Sequence, residues 1–202
     1  MISKQIPIRE AKQIEGARIA LQAEWGKLRR LRCWDDTTVA EYDDVVARAK
    51  ATNSIVHFGR IFELCHEKHS ELPVDRRKYK GRVVFQGNNV RDQDNNWAVF
   101  QEMQSSASLM SASKMVDYFG SLDGHDVEMS DAPGAFTQSE LQGDETWITL
   151  PHDQWPQSWK QRYRRPVVKL RLALYGHPLA GCCWEQKWTH EVRKVGFEHV
   201  PE

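Results

Sequence analysis

Two stretches rich in β-branched and aromatic residues, SIVHFGRIFEL (residues 54–64) and YKGRVVFQG (79–87), flank the polar run HEKHSELPVDRRK. Residues that suit a pleated surface, on either side of a charged connection containing a proline, predict two strands paired as a hairpin. The patterns around this pair have a different period. Over residues 11–32, Ile14, Ala17, Leu21, Trp25 and Leu28 recur at spacings of three and four, which predicts a helix. Asp35 to Thr38 reads as a polar break and N-cap, and Val39, Tyr42, Val46 and Ala49 then predict a second helix. NNVRDQDNN reads as a loop. Between Gln104 and Phe119, Leu109, Ala112, Val116 and Phe119 keep helical spacing among serines, which predicts a small-residue helix packed closely on a neighbour. GHDVEMSD predicts a strand with Val127, Met129 and Asp131 on one side, and ETWITLP a further short strand. Pro178 is expected to open a helix that Gly196 closes, with Trp184, Trp188, Val192 and Val195 as its apolar stripe. Strands and helices alternate irregularly, which predicts an α+β fold with an antiparallel sheet and packed helices. There is no internal repeat.

A chain of 202 residues with eight tryptophans can bury a substantial core and is not a disordered tail. Its formal net charge of zero gives no global field that would select an acidic partner, so any polyanion must be met by local charge. Cys33, Cys65, Cys182 and Cys183 form no C-x-x-C pair, which suggests a reduced, intracellular protein, cytoplasmic or nuclear. MISKQIPIRE lacks the apolar core of a signal peptide, and no run is long enough to span a bilayer, so no membrane partner is expected.

Three stretches can carry chemistry. In VEMSDAPGAFTQSEL (127–141), a carboxylate, Asp131, ends the expected strand and enters a Pro-Gly turn. Such a carboxylate is placed to hold Mg²⁺, which takes hard oxygen ligands and keeps waters and substrate phosphates in the rest of its shell. The N–H groups of Gly134 and Ala135 can face a phosphate, with Phe136 as floor or wall of the pocket. The same residues also suit an ordinary Asp-Pro-Gly turn after a core strand. Lys80 and Arg82, two residues apart on one side of a strand, can reach a triphosphate together, or can be charges guarding a solvated edge. In QWPQSWKQRYRRPVVKLRLALYG, Lys160, Arg162, Arg164, Arg165, Lys169 and Arg171 occur with no acid among them. They are interleaved with Trp155, Trp159, Tyr163 and Tyr175, the mixture a nucleic-acid groove uses, although a basic surface loop has it too. EYDD (41–44) and CWDD (33–36) are read as cap and surface acids. Cys65, His66 and His69 look like ligands but lack a second pair at zinc-finger spacing.

Taken in order, these pieces resemble the reverse transcriptase domain of copia-type retrotransposons, from about Ala17 to His199. ALQAEWGKLRRLRCWD resembles that family's opening helix. KGRVVFQG stands where the family has Lys-Ala-Arg-Leu-Val-Ala-x-Gly, keeping Lys80, Arg82 and Gly87. DAPGAFTQSEL resembles the motif Asp-Val-Lys-Thr-Ala-Phe-Leu-Asn-Gly-Glu-Leu, keeping Asp131, Ala135, Phe136, Glu140 and Leu141. KLRLALYGHPLAGCCW resembles Lys-Leu-x-x-Ala-Leu-Tyr-Gly-Leu-Lys-Gln-Ala-Pro-Arg-Ala-Trp, keeping Lys169, Leu170, Ala173, Leu174, Tyr175, Gly176, Ala180 and Trp184.

The resemblance implies a partial right-hand polymerase fold, fingers plus an incomplete palm. Residues 1–50 would be an N-terminal helical segment and residues 51–199 the polymerase domain. Asp131 would be the catalytic residue and would hold Mg²⁺ together with the backbone carbonyl of Ala132. Lys80, Arg82, Gly134, Ala135 and Phe136 would bind the incoming deoxynucleoside triphosphate, the Phe136 ring excluding a 2′-hydroxyl. Tyr175, Gly176, Lys160, Arg162, Arg164, Arg165 and Lys169 would meet template and primer. In the intact domain a primer 3′-hydroxyl attacks the α-phosphate of the triphosphate and pyrophosphate leaves. The partners implied are an RNA or DNA template with its primer, the nucleotide, and the remainder of a polyprotein. The sequence also departs from the family. The Tyr-x-Asp-Asp motif, which carries further metal ligands, would fall beyond Phe197, and Pro178, Leu179 and Cys182 replace Lys, Gln and Arg. The expectation is therefore a domain fragment inactive alone, or, as the alternative, a non-catalytic nucleic-acid-binding remnant of a transposable element.

Overall fold

The computed structural model describes residues 2–100, 110–127 and 131–198. In chain order the elements are β1 (Ser3–Ile6), α1 (Ile8–Ala11), α2 (Glu15–Arg30), β2 (Trp34–Glu41), α3 (Tyr42–Ala51), β3 (Val56–Lys68) and β4 (Lys78–Phe85). They continue with β5 (Arg91–Asp92), α4 (Met110–Gly120), β6 (Glu145–Thr149), α5 (Gln157–Arg162), β7 (Pro166–Leu170) and α6 (Ala180–Lys194). The fold is mixed α+β, with a mostly antiparallel sheet in the order β1-β3-β6-β7-β2, and β4 and β5 both paired with β3. Among the described strands only β3 and β6 run parallel.

The 13-residue β3 organises the molecule. Its first half, Val56 to Arg60, lies between β5 and β6. Its second half, Ile61 to Lys68, pairs with β4 in the predicted hairpin and also takes β1. Alternation divides the second half into two faces: Ile61, Glu63, Cys65 and Glu67 are buried, while Phe62, Leu64, His66 and Lys68 are half-exposed. Helix α2 covers the buried face with the predicted stripe of Ala17, Leu21, Trp25 and Leu28. It approaches so closely that a Cβ on Gly81 of β4 would lie 2.7 Å from the Ala20 carbonyl oxygen. The main core joins Trp25, Leu28 and Trp34 to Ile61, Val83, Phe85, Ile148, Val168 and Leu174. Trp25 also ties helix to sheet, its indole Nε1–H donating to buried Glu63 over 2.6 Å. Trp25→Phe removes that donor and leaves the carboxylate leaning on Lys12 alone, 3.0 Å away. A loss of about 2 kcal/mol is expected, read as a lower urea midpoint at unchanged slope.

Several expectations need correction. The first 50 residues are not only helical: they supply β1 and β2 to the sheet and Trp25, Leu28 and Trp34 to the common core. The run from Trp34 to Glu41 is a strand rather than a helix cap. Its polar residues are used in pairing with β7 across a bulge between Asp35 and Ala40. There the Thr38 hydroxyl accepts the Lys169 N–H (3.0 Å) and the Glu41 carboxylate accepts the N–H groups of Arg164 and Arg165. No strand is formed at residues 125–127 or at Asp131, the described ends of the strand expected at 124–131; residues 128–130 lie outside the described residues. Helix α4 is described from Met110, and none of its side chains is buried, so it is not packed closely on a neighbour among the described residues; residues 104–109 of the expected helix lie outside them. Helix α6 exists and Gly196 follows it with φ +93, but it buries Ala180, Cys182 and Cys183. Trp184 and Trp188 stack on each other at 5.8 Å on the outer side, with Trp188 half exposed. Small residues let the first turn of α6 sit close to Ala173, and the large rings would not fit there. Among the described residues no helix is long and apolar enough to cross a membrane.

Candidate functional site

The turn after Asp131 forms as its Pro-Gly pair requires. Gly134 takes a left-handed conformation (φ 68, ψ 35), and the Ala135 N–H closes back onto the Ala132 carbonyl at 3.1 Å. A short 3₁₀ turn, Ala135–Gln138, follows, with the Thr137 hydroxyl donating to the Gly134 carbonyl at 2.8 Å. The Ala135 N–H is thus consumed inside the turn, which leaves the Gly134 N–H as the one able to meet a phosphate. The Ala132 carbonyl keeps one lone pair beside the bond it accepts. Asp131 itself is exposed.

Phe136 is half-buried. Its ring lies 4.5 Å from that of Tyr175, and it packs on the small cluster of Ala173, Ala180 and Cys183. Tyr175 in turn lies under Arg82, whose guanidinium carbon is 5.7 Å from the ring centroid. Residues from β4, from the 3₁₀ turn and from the loop before α6 thus form one row: Arg82, Tyr175, Phe136. The loop is pinned where it crosses the end of β4, the Phe85 N–H donating to the Tyr175 carbonyl at 2.7 Å. A Cβ on Gly87 would collide with the Gly176 carbonyl oxygen, so two glycine backbones touch at the crossing.

Lys80 and Arg82 are both exposed on the same face of β4, with Lys68 opposite Lys78 on the neighbouring strand. Burial and then repulsion from Arg82, Lys68 and Lys27 pull the Lys80 ammonium below its ordinary pKa. A cluster of like charges of this kind favours an arriving anion. Lys27, from the last turn of α2, was not anticipated from the sequence. Its Nζ lies 3.3 Å from where a Gly134 Cβ would be, so a cation stands directly at the turn. The only hint of it was its place in the basic run GKLRRLR.

The expected template-binding residues separate into two groups. Tyr175 and Gly176 belong with Arg82 and Phe136. Lys160, Arg162, Arg164, Arg165 and Lys169 lie on α5, β7 and the turn between them, on the β2 side of the sheet, with β6 between them and β3 in strand order. Lys169 is paired with Glu145 at 2.6 Å, and Arg165 lies over the Tyr42 ring at 4.1 Å near Asp43. Lys160, Arg162 and Arg164 are exposed. The rings interleaved with these cations serve the core: Trp159 is buried, and Trp155 is half-buried with its Nε1–H on the Leu150 carbonyl at 2.8 Å. Arg171 caps the end of α2, donating to the carbonyls of Arg32 and Leu31. Cys65 and His66 point to opposite faces of β3 and cannot share a metal with each other.

Mg²⁺ suits the oxygen donors at the turn, the Asp131 carboxylate and the Ala132 carbonyl, but among the described residues no group of three His, Cys, Asp or Glu is arranged to hold an ion. One carboxylate fits an ion that arrives with a triphosphate and takes its other ligands from phosphate and water. Comparison with family models, with curated proteins and with solved structures gives no match.

Proposed function

We propose that this chain is the fingers and first part of the palm of a copia-type RNA-directed DNA polymerase domain and binds a deoxynucleoside triphosphate along the row Arg82–Tyr175–Phe136. The observation that supports the reading is convergence. Residues from three stretches far apart in sequence, each singled out by the resemblance, meet as a cation over a ring over a second ring, at 5.7 and 4.5 Å. In this reading Lys80, Arg82 and Lys27 take the phosphates, as fixed positive charges beside the N–H of Gly134, which has no partner among the described residues. Phe136, held from behind by Ala173, Ala180 and Cys183, meets the sugar and rejects a 2′-hydroxyl by contact. Asp131 and the Ala132 carbonyl would hold a Mg²⁺ ion arriving with the nucleotide, which would supply neutralisation of phosphate charge. Tyr175 orients the Arg82 fork through its ring face.

Equilibrium dialysis of the 202-residue chain with the magnesium complexes of dTTP and UTP tests this. The chain is expected to prefer dTTP. Arg82→Ala is expected to weaken both nucleotides roughly tenfold to a hundredfold, the range for a charge-assisted contact. Phe136→Ala is expected to narrow the difference between dTTP and UTP. Equal binding of dTTP by wild-type and Arg82→Ala chains would overturn the proposal. A Phe136→Ala chain with a lower melting temperature and an unchanged nucleotide ratio would return Phe136 to packing alone.

One observation favours the second reading, a non-catalytic nucleic-acid-binding chain: Lys160, Arg162 and Arg164 stay exposed on the far side of the sheet from Arg82. If that cluster tracks a phosphate backbone, Arg162→Ala with Arg164→Ala flattens the salt dependence of primer–template binding by about two counterions while leaving dTTP binding unchanged.

A further inference from the structure

A cleft of about 330 Å³ opens on the opposite side of α6 from Trp184 and Trp188, between the start of β3, the loop before β6 and the first turns of α6. It does not include any residue of the row described above. Its floor is formed by His57, Phe100, Cys182 and Cys183, and Asp144 and Gln186 stand at its mouth. His57 is 4 % exposed, and among the described residues neither of its ring nitrogens has a hydrogen-bond partner. The sealed side-chain atom without a partner among the described residues is Ser139 Oγ, so the His57 nitrogens are not sealed off and are in reach of what enters the cleft. The ring lies 4.7 Å from Phe100, which is 5.5 Å from His177, which is 4.7 Å from Phe85. A continuous row of aromatic rings thus runs from the core and ends in the cleft. Among the described residues no lysine or arginine lines the cleft, and the one charged group is the Asp144 carboxylate. The volume is at the lower end of the range for small-molecule sites, with the usual composition of apolar walls and a few polar groups.

We infer that this cleft binds a planar, neutral or weakly basic heteroaromatic amine. Its ring extends the row beyond His57 and Phe100, a ring nitrogen or N–H satisfies the His57 imidazole, and an exocyclic amine donates to Asp144. Carboxylates and phosphates are excluded, because Asp144 repels them and no cation offsets it. Burial keeps His57 neutral, working against the nearby acids Asp144 and Asp92, so the ring retains both a donor and an acceptor for the ligand. This site does not depend on the nucleotide reading: Cys183, which supports Phe136, is the one residue shared, and the ligand charge is different.

The test uses 2-aminobenzimidazole as probe, with benzothiophene, which lacks the N–H groups, and benzimidazole-5-carboxylate, which carries a negative charge, beside it. Saturable binding of the amine is expected by ligand-observed NMR, with both comparison compounds at least about tenfold weaker. Asp144→Asn, at an exposed position where folding is not at risk, is expected to weaken the amine by a similar factor. The location is read separately by alkylation: bound amine should slow iodoacetamide labelling of Cys182 and Cys183, while Cys33 and Cys65, both fully buried, remain unlabelled in the fold. No saturable binding of the amine, equal binding of the three compounds, binding unaffected by Asp144→Asn, or unprotected Cys182 and Cys183 would each overturn the inference.

Discussion

Gly176→Ala is expected to destabilise the chain by at least about 4 kcal/mol, a large share of ordinary domain stability, and to lower the melting midpoint by many degrees. Gly176 sits at φ +89, where an L side chain is strained, and an added Cβ would collide with the carbonyl oxygen of Phe85 and lie 3.2 Å from its carbonyl carbon. Neither neighbour can yield. Phe85 is 2 % exposed in the main core, and its N–H is held by the Tyr175 carbonyl at 2.7 Å. On the other side the Gly176 carbonyl already touches Gly87. Relief therefore requires the loop to lift off β4, which also moves Tyr175 from beneath Arg82. Gly26→Ala is the matching control. Gly26 is exposed inside α2 with nothing within 4 Å of an added Cβ, so it should stabilise by about 0.5–1 kcal/mol. Thermal melts of the two variants beside the wild type decide the matter; a Gly176→Ala midpoint within a degree or two of wild type would show that the crossing is loose.

The second large effect is acid lability at His177. Burial, and next to it the charge of His57, lowers the His177 pKa from about 6.5 to about 4. The imidazole is 4 % exposed. Its Nδ1 accepts the Leu179 N–H at 3.2 Å, which leaves Nε2–H for the Thr146 hydroxyl at 3.3 Å. Protonation places a hydrogen on Nδ1 and breaks the bond that holds the start of α6. With a folded pKa below the unfolded one, stability is complete above pH 6.5. It is lost as pH falls from about 6.5 to about 4, because the unfolded chain takes up the proton first, and the loss then levels off. The span corresponds to about 3 kcal/mol. His57, also lowered by burial, adds a loss in the same direction. Urea unfolding between about pH 7 and pH 4 measures it. The difference between wild type and His177→Gln is the quantity to follow, since it cancels the carboxylates Glu145 and Asp94, which are held below their ordinary range and lose their contribution as they protonate. A parallel pH dependence in the two chains would remove His177 from the account. Because His177 follows Gly176 directly, the same protonation should loosen the Tyr175 ring from Phe136 and Arg82.

Much of the fold was legible because its signals were local. The stripe of Ala17, Leu21, Trp25 and Leu28 survives in the structure because one helix face meets one sheet face, and a period of about 3.6 is all that the contact requires. The hairpin of β3 and β4 and the short β6 follow in the same way from β-branched runs with polar breaks between them. The expectations that failed did so where the partner is remote. Trp34 to Glu41 is polar and looks like a helix cap, yet it is a strand because β7, more than 120 residues later, bonds its backbone and the Thr38 hydroxyl. The stripe read along α6 was the largest set of apolar side chains, whereas the neighbours admit only small ones, so Ala180 and Cys183 are inside and Trp188 outside.

For the site, the sequence by itself determined the chemistry of the parts: a Pro-Gly turn with a ring after it, paired cations on one strand face, and a Tyr-Gly loop ahead of a helix. Each of these depends on residues within a few positions of one another, and local steric and hydrogen-bonding preferences suffice to form them. Only the tertiary structure decided which parts meet. It brought Arg82, Tyr175 and Phe136 into one row, added Lys27 from α2, used the Ala135 N–H inside its own turn, and set the Lys160–Arg164 cluster apart from them. Those outcomes depend on strand order and on the close approach of glycine backbones at Gly87 and Gly176, contacts between segments whose separation along the chain carries no local signal.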